Sequence, residues 1–292
     1  MTNKKQNHYP GAFGNLEQPY CSYNSARIAV LPIPYDGTST WIKGADRGPA
    51  ALLEASGNME LYDIETDSEV YLQGIVTLEP LNCPDDPQKM SEQVFLAAQK
   101  ILNDNKFLVG LGGEHSVSGG LVKAVVEKFE NVSVLQLDAH SDLRDEYEGS
   151  PYNHACVMAR IKELCPIVQV GIHSMDVSEK KNLNPDRVLF AHEWFDHSDP
   201  LEWINSRLTD NVYLTIDLDV FDPAIMPSTG TPEPGGLWWY DVMKIINGVI
   251  AEKNVIGLDV VELCPDPSNK APDFMAAKLV YRTLSMIFQK EK

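Results

Sequence analysis

The chain has 292 residues and 43% hydrophobic content, enough for one large α/β domain that buries most of its surface without disulfide staples. Its formal net charge of −18 argues against nucleic acid and anionic membranes as partners and favours a small cationic one. Five scattered cysteines form no CxxC pair, the polar residues 1–25 carry no apolar leader core, and no apolar run is long enough to span a membrane. A soluble cytoplasmic protein with free thiols is therefore expected.

In chain order, a strand over residues 28–32 precedes a helix over 49–56 opened by Pro49. A strand over 75–77 and a helix over 91–103 follow. Next come a strand over 107–111, a helix over 117–129, a strand over 132–137 and a helix over 157–164. Strands over 167–171, 188–190 and 212–218 precede a helix over 240–253. A strand over 255–261 and a helix over 272–289, with Pro272 in its first turn, complete the chain. The run Val132-Ser133-Val134-Leu135-Gln136-Leu137 is continuous rather than alternating, which suits a parallel sheet covered on both faces. The βαβα order implies one three-layer α/β/α domain over residues 1–292, with 1–25 as an N-terminal extension.

Three polar motifs sit at strand ends. Asp138-Ala139-His140-Ser141-Asp142 follows one apolar run, and Asp217-Leu218-Asp219 closes another. If the chain stays extended there, alternate residues face one side and point their O and N donors at one locus. Gly112-Gly113-Glu114-His115-Ser116 follows the 107–111 strand, and its glycines permit a close backbone approach that lets His115 reach the same place. Alone, each motif also suits an ordinary loop with capping side chains. Together, four carboxylates and two imidazoles in one place would repel or strand charge unless cations hold them. Their oxygen-rich character suits Mn²⁺, and four negative charges balance two divalent ions.

These motifs resemble those of the ureohydrolase family, which includes arginase, agmatinase and guanidinobutyrase. The resemblance runs from about Ile28 to Phe288. It includes Pro32-Ile33-Pro34-Tyr35-Asp36-Gly37-Thr38, residues 44–50, the three motifs above, residues 229–236 and Gly257-Leu258-Asp259-Val260-Val261-Glu262. It implies an α/β sandwich around a mostly parallel, eight-stranded sheet and two Mn²⁺ ions per subunit, with Ni²⁺ or another divalent ion as an option. One ion would be held by His115, Asp138, Asp142 and Asp217, and the other by His140, Asp138, Asp217 and Asp219. The implied reaction hydrolyses a guanidinium to urea and an amine. Glu262 matches the guanidinium-binding glutamate, and His154, in Tyr152-Asn153-His154, matches the acid/base histidine. The other histidines, His173 among them, carry no motif support.

The segment from Asp142 to His154 is most similar to agmatinase, because Arg144 stands where arginases carry an asparagine. Agmatine is cationic at both ends, so Glu146, Glu148 and Glu233 are candidates to meet its distal ammonium, and Arg144, from its place after the motif, is a further candidate substrate-binding residue. The expected reaction is agmatine to putrescine and urea; guanidinobutyrate, free guanidine and arginine are alternative substrates. A zinc deacetylase on the same fold or a non-catalytic relative are the readings from other classes. The family resemblance also implies a homo-oligomer, a trimer or a hexamer.

Overall fold

In the computed structural model, residues 11–289 are described, and the first ten positions of the expected N-terminal extension lie outside them. The strands are β1 (Ile28–Ile33), β2 (Ile75–Thr77), β3 (Phe107–Gly112), β4 (Val132–Leu137), β5 (Ile167–Ile172), β6 (Val188–Phe190), β7 (Asn211–Asp217) and β8 (Asn254–Val261). Among the described residues these eight form one sheet in the order β2-β1-β3-β8-β7-β4-β5-β6, and every pairing is parallel. Each lies where an apolar run predicts it.

Side chains alternate across the sheet, so each strand divides its apolar residues between two cores. Val30, Val109, Leu135, Val168, Leu214 and Leu258 face one core. That face is covered by α1 (Gly48–Ser56), α7 (Trp239–Glu252) and α8 (Ala271–Gln289). Leu31, Leu108, Val134, Ile167 and Ile256 face the other, beneath α2 (Pro87–Asn103), α3 (Ser118–Lys128) and α4 (Val157–Ile161).

The helices depart from expectation in three places. Helix α2 starts at Pro87 rather than residue 91, because the Asp86 side chain accepts the Lys89 N–H at 2.9 Å and caps the helix there. Helix α4 stops at Ile161, three residues early. Two short helices, α5 (Ala191–Trp194) and α6 (Pro200–Asn205), were not expected at all. They span four and six residues, too short for a 3.6-residue period to show. The described part of the N-terminal segment is packed against the domain, with Phe13 and Leu16 buried in the first core.

Register places the site. Leu137 pairs with Ile216, Asp217 with Val261, and Leu111 with Val260. The four central strands β3, β8, β7 and β4 therefore end at one level, and the residues that follow them emerge side by side. Carboxyl ends of strands where the strand order reverses are where open α/β sheets bind ligands.

Candidate metal centre and active site

At that edge the structure brings together His115, Asp138, His140, Asp142, Asp217 and Asp219. The His115 Nδ1 atom lies 3.0 Å from Asp138 Oδ2, 3.1 Å from Asp142 Oδ2 and 3.3 Å from Asp217 Oδ2. It is buried and aligned on none of them as a hydrogen bond. Donors about 2.1 Å from one ion and at right angles to one another lie about 3 Å apart, so these separations fit atoms aimed at a shared cation. His140 Nδ1 is 2.9 Å from Asp219 Oδ2 and 3.8 Å from Asp138 Oδ1. Asp138 thus turns one oxygen to each histidine, and two overlapping donor groups result. The donor set fits divalent ions.

The electrostatics call for such charge. Burial, then the charges of Asp219 and Asp142, push the Asp138 carboxyl up to about 7. Burial and Asp219 push Asp217 well above the usual carboxylate range. Burial disfavours cationic His115 and His140, yet the surrounding carboxylates hold both well above the ordinary imidazole value. Cations supplied to this cluster would take over the role those protons play.

The extended geometry expected for the motifs is not what delivers the donors. Asp142 has φ 51°, in the left-handed region, and Asp217 opens a single 3₁₀ turn over Leu218–Val220. Its Oδ1 accepts the Asp219 N–H at 2.9 Å, which folds the second carboxylate back toward the first. Gly113 is obligatory for a related reason, since a Cβ there would land on the Tyr35 carbonyl oxygen.

Several supporting residues were given no role by the sequence reading. Thr215 Oγ1 donates to Asp259 Oδ1 at 2.6 Å, so its oxygen accepts from His115 Nε2 at 2.9 Å. This fixes a proton on Nε2 and leaves Nδ1, which faces the carboxylates, as the atom that would give its lone pair to a cation. Tyr213 donates to the other Asp259 oxygen at 2.8 Å. Beneath the Asp138 loop, Gln136 donates to Asp138 Oδ2 at 2.6 Å, and Gln169 donates to Gln136 Oε1 at 2.6 Å. Glu179 accepts from Ser141 Oγ at 3.0 Å and from Leu143 N at 2.9 Å. A signal was present for some of these: a glutamine or aspartate inside a continuous buried strand, such as Gln136 or Asp259, requires a partner.

The cluster floors a cleft of about 340 Å³, whose lining includes Arg144, Tyr147, His154, Asp176 and Glu262. A larger cavity of about 520 Å³ at the opposite, N-terminal edge of the sheet is lined by no acid or histidine. Glu262 is buried; burial and the nearby charge of Glu114 push its carboxyl well above the usual range, which suits a carboxylate awaiting a cation. Arg144 stacks 4.4 Å over Tyr147 and lies 3.8 Å from Asp176 Oδ2. Glu233 accepts from Ser174 Oγ at 2.9 Å and stands 3.9 Å from His140 Nε2. His173, which carries no motif, lies between two site loops, with Nδ1 2.7 Å from Gly171 O and Nε2 3.3 Å from Glu233 O. Glu146 and Glu148 are not brought to the cleft. They flank Tyr147 on an exposed turn closed by mutual Tyr147–Ser150 backbone bonds, and both remain at the surface. Trp238 and Trp239 also lie outside the lining.

Residues 26–285 match the arginase family. The chain is 39% identical to an N(1)-aminopropylagmatine ureohydrolase of Synechocystis sp. over 90% of each chain. It is 32% identical to an agmatinase of Pyrococcus horikoshii, over 93% of this chain and 96% of the other. The crystal structure of the agmatine ureohydrolase of Thermoplasma volcanium superposes with a TM-score of 0.83 at 30% identity, covering 92% of each chain. Similarity of sequence and fold along nearly the whole length, including the strand ends that build the acidic cleft, shows that the chain belongs to the arginase family of ureohydrolases.

Proposed function

We propose that this ureohydrolase converts agmatine to putrescine and urea with two divalent ions, Mn²⁺ by preference. The observation that carries this reading is the buried carboxylate–imidazole cluster lying beneath a cleft that also holds Glu262 and His154. His115, Asp138, Asp142 and Asp217 would hold one ion, and His140, Asp138, Asp217 and Asp219 the other. Ions bound there would supply a water activated for attack near neutral pH.

The chain's own residues do the rest. A guanidinium stays protonated and delocalised, so it must be held and desolvated beside the nucleophile. Glu262 Oε1 is occupied by the His115 N–H at 2.7 Å, which fixes the carboxylate's orientation and leaves Oε2 to receive the guanidinium. His154 lines the same cleft and delivers a proton to the departing amine. Asp176 in the cleft lining and Glu233 beside His140 offer negative charge for the distal ammonium, and Tyr147 with Arg144 forms a wall. Five free cysteines suit a reducing cytoplasm, and a homo-oligomer, trimeric or hexameric, is part of this reading. The deacetylase alternative gives way, because the chain aligns with ureohydrolases over nearly its whole length.

A second reading has a specific support. The relative at 39% identity is named for N(1)-aminopropylagmatine, whereas the agmatinase stands at 32%. That substrate is agmatine lengthened by an aminopropyl arm with a further positive charge, which the net charge of −18 also favours. Urea release measured with agmatine, N(1)-aminopropylagmatine, arginine, guanidinobutyrate and guanidine decides among them. The highest kcat/KM is expected with agmatine. A preference for the aminopropyl compound moves the assignment to the second reading, and a preference for arginine or guanidine overturns both.

A further inference from the structure

We propose that Thr38 is the positioning residue that sets the tautomer of His154, with Glu114 accepting the hydrogen bond of its hydroxyl. The inference rests on the acid/base role given to His154 above.

Glu114 is fully buried and accepts four hydrogen bonds. Its donors are Thr38 N at 2.7 Å, Ser39 N at 2.7 Å, Thr38 Oγ1 at 2.6 Å and Ser116 Oγ at 2.7 Å. With four donors converging, the carboxylate acts as an acceptor only, so the single Thr38 hydroxyl proton is committed to it. Two lone pairs remain on Thr38 Oγ1. The His154 backbone N–H enters one at 2.9 Å, and His154 Nδ1 lies 3.1 Å from the oxygen. An oxygen whose proton is spent can only accept, so Nδ1 must carry the hydrogen. Nε2 then keeps its lone pair on the neutral ring, and it makes no hydrogen bond among the described residues. Tyr147 lies edge-to-face with the ring at 6.3 Å.

A parallel arrangement serves His115, where Asp259 accepts from the Thr215 hydroxyl and Thr215 accepts from the imidazole. In each case a buried carboxylate acts through a threonine hydroxyl rather than touching the ring. His154 is thus oriented with no carboxylate bonded directly to its ring. At His154 the consequence is chemical. The nitrogen available to exchange protons with the leaving amine is Nε2, held by a contact from a loop 116 residues away in sequence.

The test compares kcat and KM for agmatine, or for whichever guanidino compound the protein turns over, in Thr38→Val, Thr38→Ser, His154→Ala and Thr38→Val/His154→Ala. Thr38→Val is expected to lower kcat by about 10- to 100-fold with KM little changed, a part of the general acid–base contribution. Thr38→Ser restores most of it, and in the His154→Ala background the valine has no further effect. An unchanged kcat in Thr38→Val, or a loss of equal size with and without His154, overturns the proposal. A His154→Ala variant as active as the wild type would instead sink the acid/base reading itself. Should Thr38→Val fail to fold, nitrogen-15 NMR of the wild-type protein loaded with diamagnetic Zn²⁺ remains decisive. With the His154 signal identified by its loss in His154→Ala, a neutral Nδ1–H ring is expected, and a neutral Nε2–H ring overturns the assignment.

Discussion

Glu262 accepts the backbone N–H of His115 at 2.7 Å, and its own N–H donates to Gly113 O at 2.7 Å. The two bonds clamp the end of β8 to the end of β3. They hold Glu262 at φ 66°, a left-handed conformation that costs a non-glycine residue about 1–3 kcal/mol. The register of the sheet meets that cost, and a carboxylate is fixed beside the carboxylate–imidazole cluster.

Glu262→Gln keeps an acceptor for His115 N–H and removes the charge. The fold and metal content should be retained, while kcat/KM for the guanidino substrate falls by about 10²–10³. Steady-state kinetics alongside metal analysis checks this. Activity within roughly twofold of wild type would remove Glu262 from guanidinium binding.

Thr215→Val removes the acceptor for His115 Nε2 and leaves Asp259 without one donor. Loss of such a partner behind a ligating histidine typically weakens metal binding by about 10- to 100-fold. Chelator competition for Mn²⁺ measures it without reference to turnover. An unchanged affinity would mean that the Thr215 contact does not orient His115 toward an ion.

Tyr213→Phe removes one hydrogen-bond donor from the buried Asp259 carboxyl at the centre of the sheet. The expected destabilisation is about 1–3 kcal/mol, seen as a lower midpoint in urea with an unchanged slope. A variant as stable as the wild type would show that this hydrogen bond is not needed to accommodate the buried carboxylate.

How much of this was legible in the sequence depends on the range of the signal. All eight strands were, because a strand buried on both faces reads as an unbroken apolar run, as β4 does. The three acidic and imidazole motifs were legible because parallel strands deliver their carboxyl ends to one edge. The backbone route was not: Asp142 reaches the cluster through a left-handed turn that neighbouring residues do not dictate. Nor was the Glu114–Thr38 pair, whose members stand 76 residues apart and meet only once β1 lies beside β3. Glu146 and Glu148 show the opposite error. Their place in the right loop suggested the cleft, but whether a loop side chain faces inward is set by the turn at Tyr147–Ser150, which has no short-range pattern strong enough to read.

The most direct test of the two-ion ureohydrolase account is a Mn²⁺ titration of the metal-free protein, with bound metal and urea release from agmatine followed together. The account predicts saturation at about two ions per chain, with full activity reached only as the second is taken up. Saturation at one ion per chain, or no urea from any guanidino compound at full loading, would contradict it.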